Sequence, residues 1–290
     1  MKFIDKHGWI LVFLGAVCWS LNSPLVKYMT ASAMTICCLR ALIAGIALLP
    51  FLRPSRLKPD RWMAVYLLAF AGVCITVIAS LSMTDAAIAV GMQYTALIWL
   101  TLTAVLRTRR FRGQPWGPVI LILGGLLLFM SSGSAGSLSG NLIAASEGIL
   151  FAVMTASGKR AGQENALGLT CIANLFTGAL VLLIHPQTAS EALSMTPSQW
   201  EILLVLGVVQ VAMGYGLYNL GLQYVSPQRA SILALWEMIL GPVWVALFLH
   251  EYSSGMVIAG FLLILGGICL NALRPPGKGY ILVKPDDMAL

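Results

Sequence analysis

Charged residues are scarce in this chain. Asp, Glu, Lys and Arg make up 10% of its 290 residues, against roughly 25% in an ordinary soluble domain. Hydrophobic residues make up 59%. A soluble core can hide only part of such a surface, so lipid is the expected solvent. Histidine is scarcer still. His7, His185 and His250 fall at segment edges, far apart in sequence, and form no metal-site pattern. The six cysteines, Cys18, Cys37, Cys38, Cys74, Cys171 and Cys269, lie inside apolar runs and never at CxxC spacing. They read as small apolar packing residues. There is no ATP-binding motif: Pro-Pro-Gly-Lys-Gly at 275–279 lacks the GxxxxGK[ST] spacing and the strand–loop–helix setting of a phosphate loop. The net charge of +7 does not indicate nucleic acid, because the basic residues form short clusters between apolar runs. No cofactor is called for.

What is present is a series of long apolar runs. A helix crosses a ~30 Å hydrocarbon core with about 20 residues. Ten such runs cover 8–28, 32–52, 62–83, 85–106, 116–132, 140–157, 167–184, 200–222, 226–249 and 256–273. They are continuously apolar rather than alternating, which favours helices over barrel strands. Lys2 and Lys6 before the first run imitate a signal peptide, and Cys18 imitates a lipoprotein site. Val17 is too bulky for that cleavage, and the run continues past it, so a retained first helix is expected.

Charge placement tests this map. Lys2, Lys6, Arg53, Arg56, Lys58, Arg61, Arg107, Arg109, Arg110, Arg112, Lys159, Arg160, Arg229, Arg274, Lys278 and Lys284 all fall on the side of the N-terminus. These are sixteen of the 18 Lys and Arg residues. Lys27 and Arg40 are the exceptions. The bias predicts cytoplasmic termini. The Arg107–Arg112 cluster is explained by topology without a lipid-headgroup role.

The Ser- and Gly-rich stretch 131–140 divides the chain. Val119-Ile-Leu-Ile-Leu-Gly-Gly125 matches Phe261-Leu-Leu-Ile-Leu-Gly-Gly267 across it. Trp19 aligns with Phe151, Lys27 with Lys159, and Tyr94 with Trp236. The expected fold is all-α and integral to the membrane: ten transmembrane helices as two inverted five-helix repeats. The first repeat covers 1–132, a periplasmic linker 133–139, the second repeat 140–274 and a cytoplasmic tail 275–290. Five is odd, so the second repeat enters from the opposite side, a recurring transporter design.

Nearly the whole chain resembles the drug/metabolite transporter superfamily, EamA type. The most specific stretch is Trp236-Glu237, Gly241-Pro242 and His250-Glu251. It is similar to a family pattern of an acid, a proline a few residues on, and a glutamate closing the ninth helix. The first repeat departs from it, with Leu100 at the proline position and Arg109 at the glutamate position. The resemblance implies a central cavity lined by helices one, three, four, six, eight and nine.

Three ionisable residues lie well inside the runs: Arg40, Glu147 and Glu237. A charge at the bilayer centre costs roughly 2.5–3.5 kcal/mol on insertion scales, so each should face protein or a water-filled cavity. Glu237 and Glu147 are candidate substrate or proton sites. Arg40 is the expected structural partner of one of them. Trp19, Asn22 and Ser23 share a face of helix one. Tyr94 and Trp236 are repeat equivalents, and Tyr215 and Asn219 are one turn apart in helix eight. These rings and amides are candidates for a pocket around an organic substrate, with ordinary packing as the alternative. Pro242 after Gly241 is expected to kink helix nine. The Gly-Gly pairs at 124–125 and 266–267 are expected to be close-packing surfaces. Trp62, Trp116 and Trp200 begin helices as interfacial belt residues.

The expected function is secondary transport of a small polar organic metabolite, of amino-acid type and outward, by alternating access across the inner membrane. The partners are that small molecule, protons as a candidate co-substrate, and lipid. Transport of a quaternary amine is the first alternative, a membrane enzyme acting on lipid the second, and a channel the third. Oligomeric state is not legible.

Overall fold

The computed structural model describes residues 2–26, 28–83, 92–108, 116–131, 138–249 and 255–272. Lys27, Arg109, residues 133–137 of the linker, His250-Glu251 and the tail lie outside them. Every regular element among the described residues is helical. Helix α1 is Lys2–Ser20, continued as Asn22–Val26; α2 is Ala33–Leu48; α3 is Arg61–Met83; α4 is Ala96–Thr108; α5 is Trp116–Ser131. Then follow α6, Leu138–Ala161; α7, Ala166–Ile184; α8, Pro197–Leu222; α9, Pro227–Ala234 continued as Trp236–Leu249; and α10, Gly255–Ala272. Parts of α1, α2, α3, α6, α7 and α8 are long and apolar enough to cross a membrane; Ala96–Leu106, Trp116–Leu128 and Ile258–Gly267 are shorter apolar helices.

Small polar residues start the helices by taking up otherwise unpaired backbone N–H groups. Ser32 accepts from the Thr35 N–H at α2, Asn165 from Gly168 at α7, and Ser226 from Arg229 at α9. Thr196 and Gln199 form a reciprocal capping box at α8. The loop expected over 186–199 contains a further short helix, Thr188–Ser194.

The two halves interleave. The main partners are α3 with α6, the end of α8 with α1, α2 with α7, and α5 with α10, while α4 meets the first part of α9. Exchanging α1–α5 for α6–α10 maps α3–α6 onto α8–α1 and leaves the other pairs unchanged. The matched Gly-Gly motifs let α5 and α10 touch. A Cβ on Gly125 would meet the Gly260 carbonyl oxygen at 2.6 Å, and one on Gly267 the Pro118 carbonyl oxygen at 3.0 Å.

Four irregularities gather in the helices of the interior. A one-residue turn at Leu21 interrupts α1, turns at Tyr94 and Thr95 precede α4, and a turn at Leu235 interrupts α9. In α8, residues Leu206–Met213 form a π-helix, a form often found at functional sites. Trp236–Leu249 runs through Pro242 as one helix, and an interruption of α9 lies seven residues before it, at Leu235. There the backbone tightens, with Leu235 N–H donating to Ile232 O at 3.2 Å and Met238 N–H to Leu235 O at 3.0 Å.

Candidate functional site

Glu147 of α6 is wholly buried, 0% exposed. Neither of its carboxylate oxygens has a hydrogen-bond partner among the described residues. The glycine after it brings α6 onto the turn before α4: a Cβ on Gly148 would meet the Met92 carbonyl oxygen at 2.6 Å. That turn is held by the Thr95 hydroxyl, which donates to Met92 O at 2.7 Å. It places the Tyr94 hydroxyl so that it donates to Glu237 Oε2 at 2.6 Å. Glu237 stands in the first turn of the helix that restarts after Leu235, where the helix dipole favours an acid. The turn that carries Tyr94 therefore lies between the two acids: Gly148, next to Glu147, packs on it, and its Tyr94 hydroxyl bonds Glu237. Burying an acid without a partner is costly, so an anionic Glu147 needs a cation beside it.

One turn beyond Glu147, on the same face of α6, begins an aromatic cluster. Trp19 packs against Phe151, Tyr215 and Tyr218 with ring centroids at 6.2, 4.7 and 4.8 Å. Phe70 of α3 joins at 4.6 Å from Tyr215. The Trp19 indole nitrogen is buried without a partner among the described residues, and its ring lies on the backbone of α8, where a Cβ on Gly214 would stand 2.6 Å from Nε1. Beneath the rings is a polar group. Asn219 Nδ2 donates to the Tyr66 hydroxyl at 2.6 Å and to Thr170 Oγ1 at 2.9 Å, and the Tyr218 and Thr155 hydroxyls share a bond of 2.9 Å. Asn219 Oδ1 has no partner among the described residues.

Arg40 is also buried, but the expected ion pair with an acid is not made. Its Nη1 donates to Asn22 Oδ1 at 2.8 Å, and among the described residues it bridges neither Glu147 nor Glu237. The turn at Leu21 explains why Asn22 was available. Asn22 lies just beyond it, three residues after Trp19. Trp236 packs edge-on to Phe13 at 5.4 Å. Of the sequence candidates, the structure therefore joins Trp19, Tyr215 and Asn219 to one cluster, Tyr94, Glu237 and Glu147 to its acidic neighbour, and Asn22 to Arg40. Sequence reading missed Tyr66, Phe70, Phe151, Thr155, Thr170 and Tyr218. Two signals were there to be used: Phe151 is the repeat equivalent of Trp19, and Tyr218 adjoins Asn219.

The ends of the bundle differ. At the start of α2, the Ser32 N–H donates to Glu191 Oε2 at 2.9 Å, the Ser32 hydroxyl meets His185 Nε2 at 3.4 Å, and Thr35 Oγ1 donates to Thr188 Oγ1 at 3.3 Å. Gln199 Nε2 donates to the Thr30 hydroxyl, and His185 Nε2 lies 3.5 Å from Glu191 Oε1. The Ser32 hydroxyl and N–H hold the Glu191 carboxyl below its usual range. At the opposite end of α2, Lys58 bridges Glu164 at 2.5 Å in an exposed pair, Arg160 stacks 4.4 Å from the Trp62 ring, and Lys159 Nζ donates to the carbonyls of Leu222, Gln223 and Val225 at 2.8, 3.1 and 2.6 Å. A lysine there complements the dipole at the end of α8. Two clefts, of about 210 and 300 Å³, open at this end and share Arg56, Gln163 and Glu164. They do not touch the acid pair.

Comparison with known proteins gives this arrangement a context. The family model described as the EamA-like transporter family matches residues 6–131 and again 138–273, one match to each half. An uncharacterized transporter of Archaeoglobus fulgidus is 25% identical over 266 residues, 91% of this chain and 96% of that one. The threonine/homoserine exporter RhtA of Salmonella typhimurium is 26% identical over 278 residues, 91% of this chain and 90% of its own. A solved structure with 18% identity superposes with a TM-score of 0.73 over 93% of this chain and 98% of that one, which shows a shared fold. The reading as a lipid enzyme is set aside. Both halves of the interleaved bundle carry one family signature, and the chain is a multi-pass membrane protein that belongs to the EamA-like transporter family.

Proposed function

We propose that this transporter moves a small polar metabolite of amino-acid type out of the cell by alternating access, with Glu147 at the centre of its binding site. The observation that carries the reading is the wholly buried Glu147 carboxyl, with no hydrogen-bond partner among the described residues, set beside the Tyr94–Glu237 bond. A site of this kind is completed by a bound ammonium or a proton. The name of the Salmonella relative, a threonine/homoserine exporter, supports the substrate class.

Ten crossings in two inverted repeats fit the half-for-half packing, and the basic clusters support a cytoplasmic side for the Lys58 end and both termini. The Ser32 end then faces outward and is closed by its hydrogen-bonded clasp. Interrupted helices at Leu21, Tyr94 and Leu235, with the π-helix of α8, provide the irregular backbone that carriers place around a midplane site. Protons are the proposed co-substrate, competing for the same carboxyl groups.

The test is efflux from proteoliposomes loaded with radiolabelled threonine or homoserine, with and without a proton gradient. Gradient-dependent flux of either is the expected result; flux of neither, with flux of another solute class, would overturn the assignment. A second reading, transport of a quaternary amine, is favoured by the ring cluster of Trp19, Phe151, Tyr215 and Tyr218, whose faces attract cations. Choline flux without amino-acid flux would select it.

A further inference from the structure

The interior holds two acids and one arginine that leave one another unpaired. Arg40 is 6% exposed and Glu147 0%. Counted from the outward ends of α2 and α6, Arg40 lies ~11 Å deep and Glu147 ~14 Å, at about 1.5 Å per residue. The two are linked through α1: Asn22, the partner of Arg40, lies three residues past Trp19, and the Trp19 ring packs on Phe151, four residues past Glu147 on α6. Yet among the described residues Arg40 makes no ion pair with either acid; its Nη1 donates to the Asn22 amide oxygen, a neutral acceptor. A guanidinium offers five donors in a planar fork suited to a carboxylate. Buried charges of opposite sign normally pair. Here a separation is kept, with an acid that has no partner among the described residues on one side and a guanidinium held by a neutral amide on the other.

We infer that the site is built for a zwitterion, with Arg40 and Asn22 holding the substrate carboxylate while Glu147 and Glu237 take its ammonium. An α-amino acid presents both charges on adjacent carbons, so it completes both partners at once. A quaternary amine or other simple cation would leave Arg40 without an anionic partner, and a hydroxy acid would leave Glu147 without a cationic one. Asn22 sets the angle of the guanidinium and acts as a positioning residue. The inference rests on the carrier reading above and adds the determinant of substrate class.

The experiment uses proteoliposomes of the full chain and measures inhibition of radiolabelled threonine transport by unlabelled threonine, by threonine methyl ester, which keeps the ammonium and lacks the carboxylate, and by the corresponding hydroxy acid, which lacks the ammonium. In the wild type, threonine should compete at least about tenfold better than either analogue, the scale of a lost charge-assisted hydrogen bond. Arg40→Gln should weaken threonine about tenfold or more and leave the ester unchanged. Arg40→Lys keeps the buried charge and serves where Arg40→Gln does not fold; it should lose the same discrimination in part, having no planar fork. Wild-type thermal shifts with the three compounds give the ranking without any variant. Equal competition by the ester, or unchanged threonine affinity in either folded variant, would overturn the inference and leave the carrier reading standing. A wild type that moves no amino acid at all would remove the carrier reading and this inference with it.

Discussion

The outer clasp and the interior acid site are each built around glutamates of the second half that face hydroxyl-bearing residues of the first. Glu191 meets Ser32 and Glu237 meets Tyr94. The clasp is half-exposed: the Glu191 and His185 side chains are 31% and 28% exposed, and water can replace any bond that breaks. In the interior Glu147 is wholly buried and has no partner among the described residues, so bulk solvent does not make good a lost contact there. The same residue type therefore serves to close a surface where its bonds are complete, and to await a ligand where they are not.

Breaking the interior bond should have the larger effect. Tyr94→Phe removes one short bond to Glu237 and keeps the ring. Hydrogen bonds to charged groups are worth about 1.5–3 kcal/mol, so flux in proteoliposomes should fall about tenfold or more while the protein remains folded. A flux equal to wild type would show that Tyr94 only fills space. At the clasp, Glu191→Gln should change flux by less than about twofold at neutral pH, because exposed polar pairs contribute little. Its mark should be in pH dependence. The folded Glu191 is held below its ordinary value of 4.5. Its contribution to the closed clasp is thus complete above that value and is lost as pH falls through the lowered one. Accessibility labelling of a cysteine placed at Thr30 should rise at acid pH in the wild type and be insensitive to pH in Glu191→Gln. A pH response that survives the substitution would assign it to another group.

Much of the architecture was legible because lipid imposes a simple pattern. Apolar length marked the helices, the Gly-Gly motifs marked the α5–α10 contact, and the clustered arginines marked one end. The site was legible in its parts and not in its assembly. Glu147, Glu237 and Tyr94 were visible as polar residues where hydrocarbon should be. Their grouping depends on the turns at Leu21, Tyr94 and Leu235. Pro24, which has no N–H for the Ser20 carbonyl, marks the first, whereas no Pro or Gly stands beside Leu235. Pro242 lies within a continuous helix. Arg40 was assigned to an acid on charge alone, although the turn at Leu21 delivers Asn22 to it first. The clasp escaped notice because Ser32, His185 and Glu191 are ordinary loop residues, and nothing in their spacing shows that α2 and α7 start and end side by side.

The central claim is that the Glu147 carboxyl is unpaired because a passing substrate or proton completes it. Glu147→Gln keeps its size and removes its charge. Threonine and homoserine flux through proteoliposomes of this variant should drop to the level of empty vesicles, while its thermal midpoint in detergent holds or rises, since an uncompensated buried acid has been removed. Flux and proton dependence equal to wild type would contradict the account, and would make Glu147 a packing residue in a carrier whose site lies elsewhere.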